Sequence, residues 1–200
     1  QDKQILVDLN SGHDVHQFTA VTLTNAGQKT NRQEAKEHTF KPTFGGTSGT
    51  KAEQAYYAEF KQRYSGLAAE QENWKRQVLR DKELTLPTGL RFYWPDAEIQ
   101  QSGYLKNTTS ICNYPIQNFS FEVASAGVMI LWHTLKQENK KSFLVNFVHD
   151  SALIEAPKEE VTKTKEIMIR CLSKCVGPFF DKLFNYKLNF PLGVDVLEHD

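Results

Sequence analysis

Arg32, Lys36, Phe40 and Phe44 recur every four residues. On a helix each step of four turns about 40°, so all four fall within about 120° of one face. Two cations followed by two rings suit a nucleoside triphosphate laid along a helix. Arg grips phosphate oxygens with a planar fork and Lys with a point charge. A ring one turn further on packs on a sugar or a base. Gly45 and Gly46 follow and would let a template strand approach closely. The same spacing also describes an amphipathic helix with solvated cations and core rings.

A second group stands at His149-Asp150, between the apolar runs Leu144–Val148 and Ala152–Ile154. A carboxylate on a rigid hairpin tip can hold Mg²⁺ over a cleft. An Asp in a turn can equally serve only its own backbone, but no Gly or Asn accompanies this one.

The elements that must position these groups are legible in outline. Residues 3–9 form a short helix ending at Gly12. Asp14 caps a second helix through Val21. After a polar loop from Thr24 to Thr30, a third helix runs from Asn31 to Lys41, stopped or kinked by Pro42. Helices follow over Lys51–Tyr64 and through Leu67, Gln71, Trp74 and Val78. Residues 83–94, with Pro87-Thr88-Gly89 at the turn, make a β-hairpin. Pro115 opens a long helix to Gln137, with Phe121, Val128, Trp132 and Leu135 on one face. Strands follow at Ser142–Val148 and Ala152–Ala156. Pro157 starts a helix with Val161, Met168, Leu172 and Cys175 inward, and a last strand covers Leu192–Val196. Composition shifts after residue 104 from helical and polar to mixed α and β. The expected domains are therefore 1–104 and 105–200.

Charge is balanced, 24 basic against 24 acidic residues, so any nucleic-acid binding must come from local clusters. Cys112, Cys171 and Cys175 show no zinc-type spacing and read as reduced core thiols. No signal-peptide core and no membrane-length apolar run is present. The chain reads as soluble and cytoplasmic, in the host cytoplasm if viral.

Taken with Asn113-Tyr114-Pro115-Ile116-Gln117 at the head of a helix, the two groups resemble the family A DNA polymerases, those similar to bacterial DNA polymerase I. Arg32, Lys36, Phe40, Phe44 and Gly45 fill the family's motif B, with Phe at the Tyr place. Val148-His149-Asp150-Ser151 matches three of the four positions of motif C. Asp14-Val15-His16 corresponds to the Asp-Ile-His upstream of motif B, and Thr39-Phe40-Lys41-Pro42 is most similar to bacteriophage members. The order agrees along essentially the whole chain.

The resemblance implies an α+β fold: a helical fingers subdomain plus part of a palm, with an antiparallel hairpin packed on long helices. It implies transfer of a nucleotide from dNTP to a primer 3′-hydroxyl. Arg32, Lys36 and His16 would meet the phosphates. Phe40 would pack on the incoming sugar, and Phe44 with Gly45 would lie at the templating position. Asn113 and Gln117 would contact the minor groove of the primer–template duplex, and His149 the primer end. Asp150 would be one of two metal-binding aspartates of a two-Mg²⁺ site, catalytic together with Lys36.

There are departures. Ser151 replaces the Glu of motif C, and Thr109 stands where an Arg often precedes the Asn-Pro-Gln segment. Motif A, which carries the second aspartate, is expected just before this chain begins, as are the thumb and the proofreading domain. The expectation is a polymerase piece with little or no activity alone, partnered by that upstream segment. Two other readings stand beside it. One is a piece of a phage-type single-subunit RNA polymerase, which Ser151 suits. The other is a non-catalytic fragment that binds primer–template or a partner.

Overall fold

The computed structural model describes residues 2–190 and 192–198. It is an α+β chain that divides into two compact units, Gln1–Ile116 and Gln117–Asp200. The composition shift at residue 104 lies inside the first.

The first unit opens with α1 (Lys3–Asn10) and α2 (Val15–Asn25). Asp14 caps α2 by accepting from the backbone of His16 and Gln17. The helix runs four residues past Val21, to Asn25. Helix α3 (Arg32–Thr43) begins one residue later than expected, because Asn31 is its cap rather than its first turn. Asn31 accepts from the Glu34 N–H while the Glu34 carboxylate accepts from that of Asn31, a reciprocal capping box. Pro42 does not stop α3. It lies in the last turn, where only one backbone bond is lost, and Thr43 still follows it in the helix.

Helix α4 (Lys51–Arg63) carries a second capping box, from Thr50 and Glu53. Helix α5 (Ser65–Asp81) ends at Lys82, which is left-handed. Strands β1 (Glu83–Thr85) and β2 (Arg91–Tyr93) then pair antiparallel, Leu84 opposite Phe92. The core of this unit is aromatic: Tyr56, Tyr57, Phe60 and Tyr64 pack with Leu23. A second cluster joins Val78, Leu84, Trp94, Ala97 and Ile111.

Helix α6 (Thr108–Gln137) begins seven residues before Pro115. Proline favours a first turn, but here it sits in the interior of a 30-residue helix. One missing N–H there is outweighed by the cooperativity of the rest. The buried face also differs from expectation. Val128 and Leu135 are buried, but Phe121 and Trp132 are 53% and 40% exposed. The face packed in the second unit is Val123, Ala126, Leu131 and Leu135.

In that unit β3 (Phe143–Val148) and β4 (Ser151–Glu155) form a hairpin with a bulge at Val145. Ser151 pairs with Val148, so the turn is the two residues His149-Asp150. A 3₁₀ turn (Lys158–Glu160) leads into α7 (Val161–Ile169), one wider π-type turn (Arg170–Lys174) and α8 (Val176–Phe184). The buried stripe here is Thr164, Ile167, Cys171, Val176 and Phe180. The expected Val161, Met168, Leu172 and Cys175 are only half-buried, and the wider turn shifts the face partway along. No strand forms over Leu192–Val196: residues 192–198 are irregular.

Candidate functional site

Helix α3 separates into two faces. Ala35, Thr39 and Pro42 point inward and are buried. Thr39 is held through a buried hydroxyl cluster. Its Oγ1 lies 2.7 Å from that of Thr19 on α2, which in turn lies 2.8 Å from the Tyr56 hydroxyl on α4. The outer face carries Arg32, Lys36 and Phe40. Phe40 is 46% exposed, a large ring left in solvent beside two cations. Phe44, just past the helix, stacks on it with centroids 5.9 Å apart and planes 13° from parallel. The His16 ring meets Phe40 edge-on at 5.4 Å.

His16 comes from α2. Its Nδ1 is buried with no hydrogen-bond partner. Burial holds its pKa below the ordinary histidine value; Asp14 opposes this, while Arg32 and Lys36 add to it. The imidazole is therefore neutral near pH 7. Arg32 Nε donates to Asp14 Oδ2 at 2.6 Å. That bond, with the backbone N–H groups of Gln17 and His16, holds the Asp14 carboxyl below its ordinary range. Lys36 is half-buried and carries no salt bridge among the described residues. The sequence-derived residues His16, Arg32, Lys36, Phe40 and Phe44 thus form one contiguous surface of two cations, a neutral imidazole and two rings. Asp14, read in the sequence as a helix cap and as the first residue of the Asp-Val-His match, joins this surface through Arg32, a contact the sequence did not assign to it.

Gly45 has φ +81° and packs directly against Cys112 on α6. The next residue, Asn113, is half-buried, and its Oδ1 is a buried acceptor without a donor. Gln117 lies one helical turn further along α6 and is exposed.

His149 and Asp150 form the exposed tip of the β3–β4 hairpin. His149 has φ +55°, at the first central position of a two-residue turn that normally takes Gly. The Asp150 carboxylate has no partner among the described residues. Among the described residues, no three or more His, Cys, Asp or Glu side chains cluster as a metal site. An exposed, unpaired carboxylate fits Mg²⁺ as one ligand, not as a whole site. The fingers-type surface and this carboxylate belong to different units.

Chemically, a helical surface of cations and rings suits a phosphate-bearing ring ligand, and an exposed hairpin-tip carboxylate suits a metal cation. Residues 1–197 match the model of DNA polymerase family A, and the chain belongs to that family. It is 26% identical over 187 residues to a DNA polymerase I of Aquifex aeolicus, covering 84% of this chain and 31% of that protein. It is 35% identical over 86 residues to a DNA polymerase I of Caldicellulosiruptor bescii, covering 43% and 9%. Its fold is similar to the POL domain of Pol1 from M. smegmatis, solved in complex with DNA primer-template and dNTP. The TM-score is 0.75 at 18% identity, over 96% of this chain and 35% of that one. The chain thus spans about a third or less of each of these relatives. No helix among the described residues is long and apolar enough to cross a membrane.

Proposed function

We propose that this chain supplies the nucleotide-binding helix and one metal-binding carboxylate of a template-directed DNA polymerase. The primer 3′-hydroxyl attacks the α-phosphorus of a dNTP; the new P–O bond forms as pyrophosphate leaves. The observation that carries this reading is the outer face of α3. There Arg32, Lys36 and an exposed Phe40 lie together with His16, while the opposite face is anchored in the core.

Each residue has a role in that reaction. Arg32 and Lys36 hold triphosphate oxygens, and the neutral His16 imidazole can donate one hydrogen bond beside them. Phe40 packs on the incoming sugar. Phe44 stacks at the templating position, with Gly45 beside it. The Asn113 acceptor, together with Gln117, reads the shape of the duplex minor groove, and His149 meets the primer end. Asp150 would hold Mg²⁺, which when bound supplies positive charge to the phosphoryl oxygens. Such transfer depends chiefly on positioning and charge stabilisation.

A single such carboxylate is half of a two-metal site. A further polymerase segment, carrying the thumb and the motif A aspartate, is the partner this reading requires. Primer extension on a primed template tests it. The 200-residue polypeptide alone is expected to extend little or nothing, and to become active with dNTPs when that segment is supplied. Robust extension by the polypeptide alone would overturn the shared-site reading. A second test is Phe40→Ala. It should weaken dNTP binding while leaving the melting midpoint nearly unchanged, because the ring is half-exposed. A large loss of stability would return Phe40 to the core.

A further inference from the structure

We infer that Asp14 is a positioning residue for the nucleotide site: it fixes the Arg32 guanidinium so that its two terminal nitrogens face the phosphates. This rests on the phosphate-binding role proposed for Arg32.

The inference follows from how one carboxylate is divided. Asp14 Oδ1 accepts from the backbone N–H groups of His16 and Gln17, each at 3.0 Å. Asp14 Oδ2 accepts from Arg32 Nε at 2.6 Å. The first pair of bonds locks the carboxylate onto the N-terminus of α2. The third bond then uses only the Nε edge of Arg32. A guanidinium is planar and has five N–H groups, so fixing Nε sets the direction of both Nη groups while leaving them unoccupied. Arg32 is the first residue of α3, and its backbone is set by the Asn31–Glu34 capping box. Backbone and side chain are therefore anchored independently. His16, two residues beyond Asp14, is referenced to the same carboxylate. One group thereby aligns two phosphate-facing side chains from different helices.

A plain helix cap would not need Oδ2. A carboxylate that merely competes with phosphate for Arg32 would make the opposite prediction. Asp14→Asn separates the roles. Asn caps a helix about as well as Asp, but with its oxygen on the cap it turns an NH₂ donor toward the Nε donor of Arg32.

The test is calorimetric titration of the 200-residue chain with inorganic tripolyphosphate at fixed ionic strength, with melting curves for each variant. Asp14→Asn is expected to melt with the parent and bind about fivefold more weakly, the scale of a half-exposed ion pair. Asp14→Ser, which caps through a hydroxyl, should show the same loss. Asp14→Asn/Arg32→Ala should bind no more weakly than Arg32→Ala alone. Unchanged or tighter binding by Asp14→Asn, or additive losses in the double variant, overturns the positioning role while the phosphate site stands. If the parent does not bind, or Arg32→Ala binds like the parent, the phosphate site itself falls and the inference with it.

Discussion

A β-carbon on Gly45 would lie 2.7 Å from the Cβ of Cys112 and 2.8 Å from its Sγ. The loop leaving α3 and the first turns of α6 meet with no room for a methyl group. Their neighbours Phe44 and Asn113 are the proposed template and duplex contacts. Gly45 also has φ +81°, so Gly45→Ala combines backbone strain with a clash. A cost of about 1–3 kcal/mol is expected in urea denaturation. Adding Cys112→Ala should not restore stability, because the β-carbon at 112 remains. Full restoration would locate the problem elsewhere.

Asp8 on α1 is 5% exposed. It accepts from Arg63 at 2.8–3.0 Å and from the Tyr64 hydroxyl at 2.8 Å. Burial pushes its carboxyl up, but the bonds from Tyr64, Gln4 and Arg63 together outweigh this and leave it below its ordinary value. Tyr64, pushed up to about 12 mainly by burial, stays protonated and donates. A depressed folded pKa stabilises the fold above the unfolded pKa of about 3.9 and ceases to do so as pH falls through the folded value. Asp8→Asn should therefore cost about 1–3 kcal/mol at pH 7, and the gap from the parent should narrow below about pH 4. Denaturation at pH 7 and pH 3 compares them; a gap independent of pH would contradict the assignment.

The Thr19, Thr39 and Tyr56 hydroxyls tie the inner face of α3 to α2 and α4. Thr39→Val and Tyr56→Phe should each cost about 1–2 kcal/mol, lowering the melting midpoint by about 2–4 °C per kcal/mol in a chain of this size. Variants that melt with the parent would show that the cluster contributes nothing net.

His149 holds a left-handed backbone at a hairpin tip. His149→Val should cost about 1–2 kcal/mol from backbone strain alone. His149→Gly should be neutral or slightly stabilising, yet lower primer extension in an assembled polymerase. Gly and Val variants of equal stability would mean that the turn is not strained.

Asp150→Asn in an assembled polymerase should slow nucleotide incorporation by about two orders of magnitude or more, with primer–template affinity nearly unchanged in a filter-binding assay. A rate within a few-fold of the parent would remove Asp150 from the metal site.

Local signals carried much of this fold. Asp14 announces the start of α2 because a cap accepts from N–H groups two and three residues further on. The two hairpins are legible because short apolar runs flank polar turns. The order Asp14–His16, Arg32–Gly45, Asn113–Gln117 and His149–Asp150 carried the resemblance to the family, and residues 1–197 match the polymerase family model. Other features were not local. Helix α6 is apolar on several sides, so periodicity could not say that Phe121 and Trp132 would stay exposed. Pro115 marks a first turn by preference, yet packing extended the helix seven residues ahead of it. Residues 192–196 alternate like a strand, but none of the described residues pairs with them as one.

The sequence by itself determined which side chains of α3 share a face, since 3.6 residues per turn leaves no freedom there. Only the tertiary structure decided which way that face points. The inner side is held by the Thr19–Thr39–Tyr56 hydroxyls, which leaves Arg32, Lys36 and Phe40 outward. The Asp14–Arg32 bond spans 18 residues and Gly45 meets Cys112 across 67 positions of sequence. Contacts of that separation form only when helices pack, and no periodicity within either helix encodes them.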